Sequence, residues 1–85
     1  MTYTVRVERQ AQKVIAKLPQ KMQRRVLSAI GSLASEPRPV GSKKLVGQET
    51  WRIRVGDYRV VYTIKDAELL VVVVKVGHRS KVYEG

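Results

Sequence analysis

The chain contains no cysteine, which excludes disulfides and thiolate chemistry and fits the reducing cytoplasm, where the protein is expected to reside. It contains one histidine, His78, and its acids are scattered, with Asp57, Asp66 and Glu68 all in expected turns. No set of metal ligands emerges from that distribution, so neither a metal nor another cofactor is expected. The longest apolar run, residues 69–74, is too short to cross a bilayer. No hydrophobic leader precedes the first expected strand, and the expected helices lack the bulky aromatic anchors of a membrane-surface helix. Acidic residues are scarce: 7 Asp and Glu stand against 17 Lys and Arg, for a formal charge of +10. Solubility does not require such an excess, which points to a polyanionic partner, RNA or DNA before a membrane.

What is present describes a small folded unit. Eighty-five residues, 44% apolar and 28% charged, match a globular protein rather than a disordered tail. At that length, residues 1–85 are expected to form one domain in which binding and chemistry share a surface.

The most informative stretch runs from Trp51 to Tyr62. Apolar and polar residues alternate strictly on both sides of Gly56-Asp57, the signature of a hairpin with a two-residue loop. That loop pairs Val55 with Tyr58 and sets Arg54 opposite Arg59, Ile53 opposite Val60, Arg52 opposite Val61 and Trp51 opposite Tyr62. One face is then apolar, while Arg52, Arg54 and Arg59 crowd the other. Like charges directly across a sheet are destabilising, so the arrangement implies an anion to be held, and guanidinium geometry suits a phosphate. The plain alternative is a solvated basic face.

Elsewhere, residues 2–8 alternate and read as a half-buried strand. In residues 9–18 and 20–35 apolar side chains recur at helical spacing, with a break at Pro19, which predicts a helical hairpin lying across one face of the sheet. Arg9, Lys13 and Lys17 fall on the outer surface of the first helix, either as a solvated face or as contacts to nucleic-acid phosphates. Residues 36–47, rich in proline and glycine, read as a long connection in which Lys43 and Lys44 sit on a flexible loop able to meet a phosphate. After a turn at residues 65–68, residues 69–76 are a β-branched run suited to a strand buried on both sides. The register that keeps the Lys75 ammonium out of the core sets it opposite Arg59. The expected fold is α+β: an N-terminal strand, a helical hairpin, then a three-stranded antiparallel meander, all in one sheet with both helices on one face.

The C-terminal segment is expected to carry His78, Arg79, Lys81 and Tyr83 past the edge of the sheet toward the arginines. Metal-free RNA cleavage needs a base for the 2′-hydroxyl, cations for the phosphorane and an acid for the 5′-oxygen. Tyr83 can serve as base, since surrounding guanidinium groups favour its phenolate, or it can cap the sheet or stack on a base. Arg52, Arg54 and Arg59 suit charge stabilisation. His78 has the better pKa for donating a proton, against the ordinary reading of a surface histidine at a strand end.

These residues resemble the RelE branch of the RelE/ParE toxins of toxin–antitoxin pairs. The resemblance rests on Trp51-Arg-Ile-Arg-Val, on Gly56-Asp57-Tyr58-Arg59-Val60-Val61-Tyr62, and on Val76-Gly77-His78-Arg79 with Val82-Tyr83, and it spans essentially the whole chain. It implies a toxin that cuts mRNA in the ribosomal A site and is blocked by a cognate antitoxin. By position it makes Arg59 the catalytic strand arginine and Arg52 and Arg54 the basic pair of the preceding strand. Arg79 becomes the tail arginine proposed as acid, and Tyr83 the proposed base. The compared member has lysines in place of Arg52 and Arg54, two more tail residues before its tyrosine, and in some relatives a final helix. Two other functions share the fold: a ParE-type toxin that inhibits DNA gyrase without cleaving anything, and a non-toxic module that binds DNA with its antitoxin.

Overall fold

A computed structural model describes residues 2–45, 47 and 49–78. The elements run β1 (Thr4–Val7), α1 (Arg9–Ala16), α2 (Gln20–Ser32), β2 (Lys43–Lys44), β3 (Thr50–Val55), β4 (Tyr58–Lys65) and β5 (Leu70–His78), with a 3-10 turn at Asp66–Glu68. They form one five-stranded sheet in the order β1-β5-β4-β3-β2. β1 runs parallel to β5, and the other pairs are antiparallel. The α+β class and the meander are as expected. The fifth strand is not: Lys43 and Lys44 pair with Arg52 and Trp51 as a short edge strand instead of lying on a flexible loop. Two lysines have no strand periodicity of their own, and the edge of β3 supplies the template.

Both helices pack on the same face. Ala11, Ile15, Leu18, Val26, Ile30 and Leu33 meet Ile53, Val55, Val60, Tyr62, Val71, Val73 and Val76 in one buried cluster. α1 ends at Ala16, two residues before the expected boundary, and the Leu18 amide closes its final turn by donating a hydrogen bond to the Ile15 carbonyl. Pro19 then starts α2 by accepting from the Gln23 amide at 2.8 Å. α2 stops at Ser32, and residues 33–35 continue as turns in which Leu33 stays buried. Among the described residues no helix is long and apolar enough to cross a membrane.

The hairpin follows the expected register from Trp51 opposite Tyr62 to Val55 opposite Tyr58, and continues one pair further, to Thr50 opposite Thr63. Gly56 has φ +60°, whereas Asp57 is not among the residues with positive φ, which matches the turn type that takes glycine at its first central position. A side chain at position 56 would also collide with α2, since a Cβ there lies 2.8 Å from Met22 Cε. This glycine therefore fixes both the turn and the approach of the helix.

β5 departs from expectation. Lys65 pairs with Leu70 and Tyr62 with Val73, but Val61 pairs with Lys75, so one extra residue interrupts the ladder between Val61 and Tyr62. This bulge reverses which side chains of β5 face the helices: Val71 and Val73 do so before it, and Val76 after it. Without the extra residue the ladder that pairs Tyr62 with Val73 would carry Lys75 onto the core side. With it, Lys75 is exposed and stands opposite Val61, while Arg59 faces Gly77. The strand is not buried on both sides either, because Val72 and Val74 are only half-buried.

Candidate functional site

The face of the sheet opposite the helices carries the arginines in two rows. In one, Lys43, Arg52, Val61 and Lys75 succeed one another across β2, β3, β4 and β5; in the next, Arg54, Arg59 and Gly77 do so. Directly opposed Cβ atoms in such a sheet lie about 5 Å apart, and residues two positions apart on one strand are separated by about 7 Å. The side chains of Arg52, Arg54 and Arg59 thus spring from neighbouring positions on adjacent strands, within an area comparable to one phosphate and its flanking sugars.

Their exposures differ. Arg54 is exposed and Arg59 half-buried, whereas Arg52 retains only 6% of its surface. The sequence pattern placed Arg52 on a basic face but gave no sign that this face has its own small core, made by Leu45 and Val61 with Val74 against them. Leu45 lies beside β3, its amide bonded to the Thr50 carbonyl, and helps close the surface around Arg52. The Nε atoms of Arg52 and Arg59 are both shielded from water. Their aliphatic stems are held by the sheet, which orders the charged ends before any ligand arrives.

The remaining expected site residues divide. Lys43 joins the arginine face opposite Arg52, but Lys44 pairs with Trp51 on the side of the helices and lies 3.9 Å from Glu49. Lys75 is one row away from Arg59 rather than opposite it, because of the bulge. His78 is not brought to the arginines: it pairs with Tyr58 on the helix side and meets that ring edge-on, centroids 5.5 Å apart at 83°. There it lines a hollow of about 440 Å³ with Gln10, Lys17, Tyr58 and Lys75. Arg9, Lys13 and Lys17 are exposed along α1 and its C-terminal cap. Arg79, Lys81 and Tyr83 lie outside the described residues.

A second constellation was missed. Arg38, in the connection between α2 and β2, donates to both carboxylate oxygens of Asp66, at 3.2 and 2.9 Å, and stacks 5.2 Å from the centroid of Trp51. Tyr3 donates to the same carboxylate at 2.6 Å. The Arg38 and Tyr3 bonds hold the Asp66 carboxyl down at about 2, and the bond to Asp66 raises the Tyr3 pKa. Beside them Tyr62, fully buried, donates to the Pro37 carbonyl at 2.8 Å, and burial pushes its hydroxyl up to about 12. These contacts join residues up to 63 positions apart, beyond the reach of sequence spacing. The available signal was the Pro37-Arg38-Pro39 triplet, a stiff segment rather than a loose loop.

The comparisons with known proteins agree with this fold. A family model described as the ParE toxin of the type II toxin–antitoxin system parDE matches residues 2–83. The chain belongs to the RelE/ParE toxins. It is 38% identical to Toxin RelG of Mycobacterium tuberculosis over 98% of both chains. The RelE/ParE fold superposes on the archaeal RelE–RelB complex from Pyrococcus horikoshii with a TM-score of 0.85 and 32% identity, covering 96% of this chain and 100% of that one. The RelBE2 toxin–antitoxin complex of M. tuberculosis gives a TM-score of 0.80 and 35% identity over 93% and 100%. The arginine face thus belongs to a RelE/ParE toxin of a type II system.

Proposed function

We propose that this toxin is a ribosome-dependent, metal-independent endoribonuclease that cleaves mRNA in the A site and thereby stops translation. The observation that carries the reading is the opposition of Arg54 and Arg59 on adjacent strands, with Arg52 buried beside them. A sheet tolerates that repulsion where an anion neutralises it. In the reaction the 2′-oxygen attacks the adjacent phosphorus as its proton passes to a base, and the 5′-oxygen leaves with a proton from an acid. Arg59 with Arg52 and Arg54 stabilises the charge that builds on the phosphorane. Tyr83 is assigned as the base. Since His78 turns toward Tyr58, Arg79 is the tail residue assigned to the leaving oxygen. Lys43 and Lys75, in the row beside the pair, steer the RNA backbone; Arg9, Lys13 and Lys17 along α1 hold ribosomal phosphates, as does Lys81 of the tail.

An antitoxin of the RelB type is the assigned protein partner, as in the complexes from P. horikoshii and M. tuberculosis. Its role is to cover or neutralise the basic face.

Programmed ribosomes carrying a defined message test the assignment. Mapped mRNA ends should fall in the occupied A site, free RNA should be cut poorly because the ribosome supplies orientation, and Arg59→Ala should slow cleavage by about a hundredfold or more. Intact message with the wild-type toxin ends the proposal. The ParE name of the matching family favours a second reading, inhibition of DNA gyrase. A supercoiling assay separates the two, and Tyr83→Phe should abolish toxicity only in the nuclease.

A further inference from the structure

The connection between α2 and β2 is built as a wall. Pro37 is tied to the buried Tyr62 hydroxyl, Arg38 is clamped on Asp66 and Trp51, and the Ser42 amide closes a turn onto the Pro39 carbonyl at 2.9 Å. Gly41, at φ +94°, lets the chain reverse there. What this anchored wall presents to solvent is Val40, with its whole surface exposed at 107%. Behind Val40 opens a hollow of about 510 Å³, lined by residues 40–43 on one side and 52–54 on the other. That volume is within the usual range of about 300–1,000 Å³ for small-ligand sites. β2 pairs with β3 only as far as Arg52, so Ile53 and Arg54, paired with β4 on one side, border the hollow on the other, where β2 does not reach.

An apolar side chain held fully in water above a strand edge and three cationic residues matches the two halves of a nucleotide. The phosphate belongs with Lys43, Arg52 and Arg54, and the base with the Val40 methyls and the peptide groups of Gly41 and Ser42. We propose that this hollow is the subsite for the nucleotide flanking the cleaved linkage, with Val40 the contact to its base and Arg38 a positioning residue that sets the wall. The inference rests on the RNA reading above and extends it: Arg54 borders both the hollow and Arg59, so one RNA strand passes from the wall onto the arginine pair. Single-stranded RNA is the committed occupant because it combines a planar apolar face with a phosphate at one-nucleotide spacing and is the substrate of the reading above.

The test measures binding apart from cleavage. The intact toxin, with valine methyls and amides labelled, is titrated in NMR with a 2′-O-methyl trinucleotide, which cannot be cut because its attacking hydroxyl is blocked. The Val40 methyls and the Gly41 and Ser42 amides should shift and saturate. Val40→Ser should weaken binding about fivefold, the size of a partly buried valine contact, and Val40→Leu should restore it. Asp66→Ala, remote from the nucleotide, should weaken binding by releasing Arg38. Because Val40 is exposed, its substitution leaves folding intact. Shifts confined to the His78 hollow, an affinity indifferent to Val40→Ser, or shifts produced by an Asp- and Glu-rich peptide but not by the trinucleotide would each overturn the proposal. Binding at Val40 with message left intact on ribosomes sinks the nuclease reading and keeps the hollow only as a nucleotide-binding site; cut message with no response at Val40 overturns the subsite and keeps the nuclease.

Discussion

Replacing Arg54 by Gln should make the protein more stable and less able to hold phosphate. The substitution keeps the aliphatic stem and removes one of two opposed charges, at an exposed position where packing changes little. With guanidinium groups roughly 6 Å apart, the repulsion in water is about 0.7 kcal/mol, and screening at physiological salt reduces it to about 0.3–0.5 kcal/mol. This falls in the range of about 0.2–1 kcal/mol known for cross-strand pairs. For an 85-residue chain each kcal/mol moves Tm by about 4–8 °C, so the expected rise is about 1–4 °C. Thermal unfolding followed by circular dichroism measures it. The gain should shrink toward zero in about 1 M NaCl, where the screening length is about 3 Å. Phosphate at matched ionic strength should reverse the ranking. If the pair binds it with a Kd of about 10 mM, a fivefold excess over that value stabilises the wild type by about 1 kcal/mol and the variant by much less. An Arg54→Gln protein no more stable than wild type in low salt, or a gain that persists at high salt, would show that the two arginines do not repel and would remove the physical reason for placing an anion between them.

The wall and the turn give three further expectations. Tyr62→Phe removes the hydroxyl that satisfies the Pro37 carbonyl and should cost about 1–2 kcal/mol, lowering Tm by roughly 4–16 °C. Because the Tyr62 pKa is higher folded, at about 12, than unfolded, near 10, its contribution is complete below the unfolded value and is lost as pH rises through the folded one. The alkaline branch of a Tm-against-pH profile should therefore be shallower in Tyr62→Phe. Asp66 has the opposite sign: its pKa falls from 3.8 to about 2 on folding, so its contribution is present above the unfolded value and lost as pH drops through the folded one. In Asp66→Asn the acid branch over that window should flatten, and an unchanged branch would mean that the Arg38 clamp does not form in solution. Gly56→Ala, forced to φ +60° with its Cβ against Met22, should lose about 1–2 kcal/mol, and an unaltered melting curve would contradict the turn assignment.

The hairpin was legible because its signal is local. Alternation around Gly56-Asp57 fixes every pair from Trp51 to Tyr62, and the helices declare themselves through apolar spacing and Pro19. The arginine face followed directly from that register. What was hidden depends on distant partners. The edge strand at Lys43 and Lys44 exists because β3 offers it a template, the burial of Arg52 depends on Leu45 and Val74 reaching the same face, and the Arg38 clamp needs Asp66 from the far turn. The positions of Lys75 and His78 could not be read from periodicity because a run of valines looks the same in either phase. Only the ladder with β4 reveals the extra residue.

That extra residue makes β5 two half-strands of opposite parity on one backbone. Below it the valines serve the hydrophobic interior on odd numbers, and above it on even ones, so a chain-length change of one at Val74 would exchange the roles of Gly77 and His78 while leaving the lower half untouched. An insertion or deletion there is a far larger event for this protein than one in the connecting segments. Among homologues the spacing between the Tyr62 partner and the glycine beside Arg59 should accordingly tolerate changes in side chain much better than changes in count.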